Sequence, residues 1–234
     1  MIQLQQNRYL WVHFAALALV PLLLDVCLLG LASARVAFDY PVAYGLQFWF
    51  VALVCIAPPL WMQMARPFYI FALPPVALRP DALTDDQKRC LTVLMSWQIK
   101  ALAGLVAIAS IWLLAQLYEK LTLITNQAVP LMPPIAGFIV AVNAFFFACL
   151  FMQIGVSSGR SLLVSPTALK RVEPYEGKIS DRFLLAGINV KTLLPDRPAP
   201  QISISGDSIS EDPVSGDPVS RDIDSDTEVK KGGE

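Results

Sequence analysis

The stretch Leu10–Leu31, LWVHFAALALVPLLLDVCLLGL, decides the fold of this chain: across its 22 residues only His13, Pro21 and Asp25 interrupt the apolar character. A helix crosses the ~30 Å hydrocarbon core of a bilayer in about 20 apolar residues. Three further runs follow. Pro41–Met64 has a centre, Phe48 to Met62, without a polar side chain. Ala101–Leu117 extends backwards through Leu91–Lys100, and Leu131–Gly155 is broken by Asn143 and Gln153. Backbone groups in lipid must be bonded within the chain, so each run reads as a helix rather than an open strand. The expected fold is an all-α membrane protein, a four-transmembrane-helix bundle with spans at about 10–31, 41–64, 93–117 and 131–155. Pro21 and the Pro58-Pro59 pair are expected to kink the first and second helices.

A secretory signal is the rival reading of the first run, with Arg8 as its basic region and Ala32-Ser33-Ala34 as its cleavage site. The run is longer than the usual apolar region of about 7–15 residues, and Asp25 is foreign to one, so an uncleaved span is the expectation.

The chain has 234 residues, 55% hydrophobic and 16% charged, against roughly 25% charged in soluble domains. From Asp196 onward ten acidic residues face four basic ones, whereas before Asp196 fourteen basic residues face nine acidic. The overall charge of −1 is thus a near-cancellation of a basic membrane body and an acidic tail. Cys27, Cys55, Cys90 and Cys149 are widely spaced, with no CxxC or CxxCH, which argues against a disulfide framework, a zinc site or attached haem. The single histidine, His13, excludes a bis-histidine haem within one chain. No phosphate loop, HExxH, GxSxG or paired-carboxylate spacing occurs, so no cofactor, no enzymatic activity and no nucleic-acid partner are expected.

Lysine and arginine counts in the short flanks set the orientation. Ten fall on one side: Arg8, then Arg66, Arg79, Lys88 and Arg89, then Arg160, Lys170, Arg171, Lys178 and Arg182. Only Arg35 and Lys120 fall on the other. Both termini and the central loop are therefore expected in the cytoplasm. Tyr9, Trp11, Trp61, Tyr69 and Trp97 mark the inner edge, and Tyr40, Tyr44, Trp112 and Tyr118 the outer.

Outside the spans, Thr84-Asp85-Asp86-Gln87 has the spacing of a capping box, so helix three should start near Asp85, ahead of the membrane. Arg66-Pro67-Phe68-Tyr69-Ile70-Phe71 joins an arginine to aromatic residues, as expected of a segment in the headgroup layer. Ser165-Pro166 pairs an N-cap with a proline at the first helical position. Tyr175–Leu185 suggests a short amphipathic helix with Ile179, Phe183 and Leu184 on one face, ended by Gly187 and followed by an extended Ile188–Leu194. The tail repeats every five residues, with aspartate at 207, 212, 217 and 222 and serine at 210, 215, 220 and 225. That period matches neither helix nor strand, and disorder is expected. The organisation expected is therefore a bundle over 1–156, a cytoplasmic amphipathic segment over 157–195 and a tail over 196–234.

Asp25 is the polar residue with most at stake. Near mid-helix it costs roughly 2.5–3.5 kcal/mol on insertion scales, so it is expected to face the bundle interior and find a donor. It sits ~22 Å above Leu10 by the helical rise, at the depth of Gln47, Ser110 and Asn143 on the other spans. A proton or cation site and an interhelical hydrogen bond both fit that placement. Lys100 lies ~15 Å lower, too far for a direct pair. Trp61-Met62-Gln63-Met64 and Phe151-Met152-Gln153-Ile154 each follow a cysteine and close helices two and four, a hint of two hairpins related by an axis along the membrane normal. Gln63, Gln153, Arg66, Phe68 and Lys100, all near the inner edge, are the candidates for contact with a partner.

The chain resembles a cyanobacterial family of membrane proteins named for a low-complexity tail. The matching stretches are Tyr9–His13, Asp25–Leu31, Ala57–Gln63, Arg66-Pro67-Phe68, Leu83–Gln87, Gln116-Leu117-Tyr118, and Glu173-Pro174-Tyr175 with Ile179. The resemblance implies a cyanobacterial source, in the thylakoid or plasma membrane, and supplies no activity. Two function classes follow: an accessory, assembly or scaffold protein packing against larger membrane complexes, or a small proton- or cation-coupled transporter or membrane enzyme built around Asp25. The sparse polar inventory favours the first. On the topology read here, cysteine labels at residues 5, 80 and 230 should all react from the inner side only. Outside labelling of any one of them would overturn it.

Overall fold

Among the described residues four helices are long and apolar enough to cross a membrane: Arg8–Ala34, Gly45–Ala65, Trp97–Leu121 and Pro134–Leu162. The computed structural model describes residues 8–34, 41–73, 76–124, 132–184 and 188–190; Arg35, Gly187 and the tail lie outside them. The first span is α1 (Arg8–Ala15), a 3-10 turn (Ala16–Ala18) and α2 (Leu19–Ala34). That tight turn sits where Pro21, having no N–H, leaves the Leu17 carbonyl without its helical donor. The second span, α3 (Pro41–Ala65), runs through Pro58-Pro59 without a break in its helical assignment.

The third span departs from expectation. Instead of one helix from Asp85, there are two, α4 (Asp85–Leu94) and α5 (Trp97–Ile124), parted at Met95-Ser96. The capping box is present: Gln87 N–H reaches the Thr84 hydroxyl at 3.4 Å and Thr84 N–H the Gln87 side chain at 3.0 Å. The break lets α4 bury Cys90, Leu91 and Leu94 in a separate core while α5 stays in the bundle. The fourth span, α6 (Pro134–Leu162), continues past Gly155 to Leu162. Two serines in that extension bond backwards, Ser157 Oγ to the Gln153 carbonyl at 2.7 Å and Ser161 Oγ to the Ser157 carbonyl at 3.0 Å. Their hydroxyls are thus satisfied by the helix that carries them.

Helices α2 and α6 pack backbone against backbone. A Cβ on Gly30 would lie 2.6 Å from the Gly137 carbonyl oxygen, and one on Gly137 would lie 2.7 Å from that of Gly30. Farther along, Gly155 receives Leu17 and Gly159 receives Phe14. Small residues permit this approach where apolar side chains gain nothing by leaving lipid. The bundle core is built from Cys27 and Leu31 on α2, Val51, Cys55 and Ile56 on α3, Ala107, Leu114 and Tyr118 on α5, and Ala141, Phe145 and Cys149 on α6.

A second core caps one end of the bundle, drawing Tyr9 and Leu10, Phe68–Ala72, Leu91, Leu94, Leu162, Leu169, Ile179 and Phe183 together. It contains a three-stranded sheet: β1 (Ala72–Leu73) antiparallel to β2 (Val76–Leu78), and β2 parallel to β3 (Ile188–Val190). The Phe68–Phe71 segment is therefore covered by protein, with Tyr69 and Phe71 fully buried and the Tyr69 hydroxyl donating to the Leu78 carbonyl at 3.1 Å. Of the expected helix over Tyr175–Leu185 only α8 (Ile179–Arg182) forms, after α7 (Pro166–Lys170) with its Ser165 N-cap. Ile179 and Phe183 are buried, and Leu184 is exposed.

The glycine contact yields a controlled test. Gly30→Ala should destabilise the bundle by about 1–3 kcal/mol, the usual range for overpacking. Gly45→Ala, where nothing lies within 4 Å of the new methyl, should be neutral or slightly stabilising. Unfolding midpoints in mixed detergent micelles distinguish them, and equal behaviour of the two variants would refute close α2–α6 packing.

Candidate functional site

The residues singled out at one depth do not converge. Gln47 and Ser110 are buried, with the Ser110 hydroxyl donating to the Val106 carbonyl at 2.8 Å. Asn143 is exposed, and its amide donates to its own helix at the Ile139 carbonyl, 2.8 Å away. Asp25 is exposed on the outside of the first span, flanked by exposed Leu22 and Leu29. The expectation that it faces the interior is corrected: α2 turns its Cys27–Gly30–Ala34 side to α6, which leaves Asp25 on the lipid side. Among the described residues no hydrogen bond or ion pair reaches its carboxyl group.

The buried polar chemistry lies instead at the capped end. The Gln63 amide on α3 donates to Ser157 Oγ on α6 at 2.8 Å, and the Gln153 amide donates across to the Ala103 carbonyl of α5 at 3.0 Å. Ser157 in turn donates to the Gln153 carbonyl, so the two Met-Gln motifs meet through one hydroxyl. Gln153 Oε1 and the Ser158 hydroxyl are buried without a partner among the described residues. Gln63 and Gln153 are each 2% exposed and Phe68 lies in the cap core, so these three hold the chain together rather than face a neighbour. Arg66 is exposed and Lys100 half-buried. Arg160, on the last turn of α6, donates to the Gln98 side chain of α5 at 2.7 Å.

Beside this cluster lies a cavity of about 410 Å³, walled by Val12, His13, Ala15, Ala16 and Leu19 of the first span, Phe68 and Leu73 of the cap, and Leu150, Phe151 and Ile154 of α6. His13 is its single polar wall. Its Nδ1–H donates to the Tyr9 carbonyl at 2.8 Å, and its ring also reaches the Ala72 backbone and stands 5.7 Å from that of Phe68. All four cysteines are buried and free. Cys27, Cys55 and Cys149 share the bundle core, with Cys55 Sγ donating to the Val142 carbonyl at 3.3 Å. Cys90 sits in the cap, where burial pushes its thiol up to about 12. Among the described residues no group of His, Cys, Asp or Glu is placed to hold a metal ion. The cavity and the Ser157 relay were not singled out from the sequence. The signal for the second was the Ser157-Ser158-x-x-Ser161 spacing, which puts hydroxyls on one side of a helix.

Four apolar spans, a buried amide–hydroxyl cluster and a mixed cap define an integral membrane protein. The chain belongs to the low-complexity tail membrane protein-like family, whose profile matches residues 6–195. No curated protein and no solved structure matches it.

The amide cluster should contribute to stability as one unit. Gln63→Leu and Ser157→Ala should each cost about 0.6–2 kcal/mol, the range for interhelical polar contacts. The double variant should lose less than the sum of the two, which a thermodynamic cycle in micelles measures; full additivity would show that the two groups do not interact.

Proposed function

We propose that this protein is a non-enzymatic accessory or assembly protein that packs against larger membrane complexes, with the Asp25 side of the first span as its docking side. The exposure of Asp25 carries the reading. A carboxyl group at that depth needs a hydrogen-bond donor, and the described part of this chain supplies none, so the donor comes from a neighbouring transmembrane segment. Exposed Leu22 and Leu29 lie about one helical turn to either side and provide apolar contact around it. A transporter or enzyme built on Asp25 would need that residue in a cavity shared with other ionisable groups. Asp25 is not among the residues that wall the cavity at the capped end. The family resemblance extends the proposal to photosynthetic complexes of a cyanobacterial thylakoid or plasma membrane, and the ten-to-two basic asymmetry to cytoplasmic termini.

With Asp25 on the outside, its replacement acts on association and not on the bundle. Asp25→Asn should keep both fold and partners, because an amide still hydrogen-bonds at that depth. Asp25→Leu should leave the unfolding midpoint of the isolated protein unchanged or higher while reducing the proteins that co-purify in mild detergent. Undiminished co-purification with Asp25→Leu would sink the docking assignment, and ion flux lost in Asp25→Asn with the fold intact would install the transporter reading in its place.

A further inference from the structure

The cavity at the capped end is independent of the Asp25 face and has its own chemistry. Its volume, about 410 Å³, falls in the ~300–1,000 Å³ range of small-molecule sites. The space is a half-open groove, and water needs polar partners that these walls do not offer. The one polar wall, His13, has its Nδ1–H committed to the Tyr9 carbonyl. The occupant is thus a hydrocarbon segment without hydrogen-bonding atoms. Val12 and Leu19 on the rim are 44% and 46% exposed, so the cavity communicates with the lipid beside the first span. Arg8 is exposed and precedes Val12 by one helical turn, ~6 Å toward the cap on the same side of α1. A phosphate or other anionic headgroup joined to a chain in the cavity would reach that level.

We infer that the cavity is a binding site for one acyl chain of an anionic bilayer lipid, with the headgroup beside Arg8. The site joins the first span, the cap and α6, and a bound chain completes the packing that these elements leave open. Ala16→Phe fills the space from the wall, and Leu150→Phe fills it from α6.

The test uses the full chain purified in mild detergent, incubated with phosphatidylglycerol or phosphatidylcholine and weighed intact by native mass spectrometry. The wild-type chain should retain one phosphatidylglycerol. Ala16→Phe, with an unfolding midpoint at or above that of the wild type, should lower retention at least about tenfold, as expected when several methylenes lose their burial. Leu150→Phe serves the same purpose should Ala16→Phe fail to accumulate. Arg8→Gln should reduce phosphatidylglycerol retention about fivefold, the effect of one basic residue at an anionic headgroup, and leave phosphatidylcholine retention unchanged. Wild-type protein that retains neither lipid, or a folded cavity-filling variant that retains as much as the wild type, overturns the site. Equal retention of the two lipids, indifferent to Arg8→Gln, overturns the headgroup assignment.

Discussion

The contact on which the rest of the structure depends is the meeting of Gly30 and Gly137. In lipid, apolar side chains gain nothing by turning to each other, so helices associate where surfaces fit closely and carbonyl dipoles approach. The two glycines bring the α2 and α6 backbones within reach of each other's carbonyl oxygens. That fixes the rotation of both helices about their axes. Everything that follows is set by that rotation: Cys27 turned inward, Asp25 turned outward, Gly155 and Gly159 placed under Leu17 and Phe14. A bundle assembled on the opposite face of α2 would have hidden the carboxyl group and exposed the small residues.

The spans were legible because hydrocarbon thickness is a length requirement, and runs such as Leu10–Leu31 and Pro41–Met64 meet it on composition alone. The Thr84 capping box and the Ser165-Pro166 helix start were legible because they are local, with donors and acceptors close in sequence. Side-chain direction was not. The cost of desolvating a carboxyl group favours Asp25 inside, yet the first span obeys the glycine contact instead. The break at Met95-Ser96 was hidden for a related reason. The apolar pattern of α4 serves the cap and that of α5 serves the bundle, and periodicity does not say which partner a face will meet. The cap itself was illegible, since β2 and β3 lie far apart in sequence and each is only three residues long.

Polar groups in this protein divide into those that the helices satisfy for themselves and those that need another element. Ser110, Asn143 and Ser161 bond to their own preceding turns, which makes them inexpensive to hold in an apolar setting. Gln63 and Gln153 instead reach across to α6 and α5, so they specify which helices are neighbours and at what height. Asp25 belongs to neither group. Among the described residues nothing bonds to its carboxyl group, and on the docking reading proposed above a neighbouring segment supplies the donor.

The cap has a consequence for the order in which the molecule is made. Its core takes Tyr9 and Leu10 from the beginning, Phe68–Ala72 and Leu91 from the middle, and Ile179 and Phe183 from beyond the last span. The parallel strand β3 adds its hydrogen bonds to β2 only after four helices have left the ribosome. Until then, Phe68, Tyr69, Ile70 and Phe71 lack their cover from Ile179 and Phe183, and the Tyr69 N–H lacks the Leu184 carbonyl to which it donates at 3.2 Å. Nascent chains shelter such segments in the membrane surface or on a chaperone. The cap core therefore closes only once Ile179 and Phe183 have joined it, after the four spans.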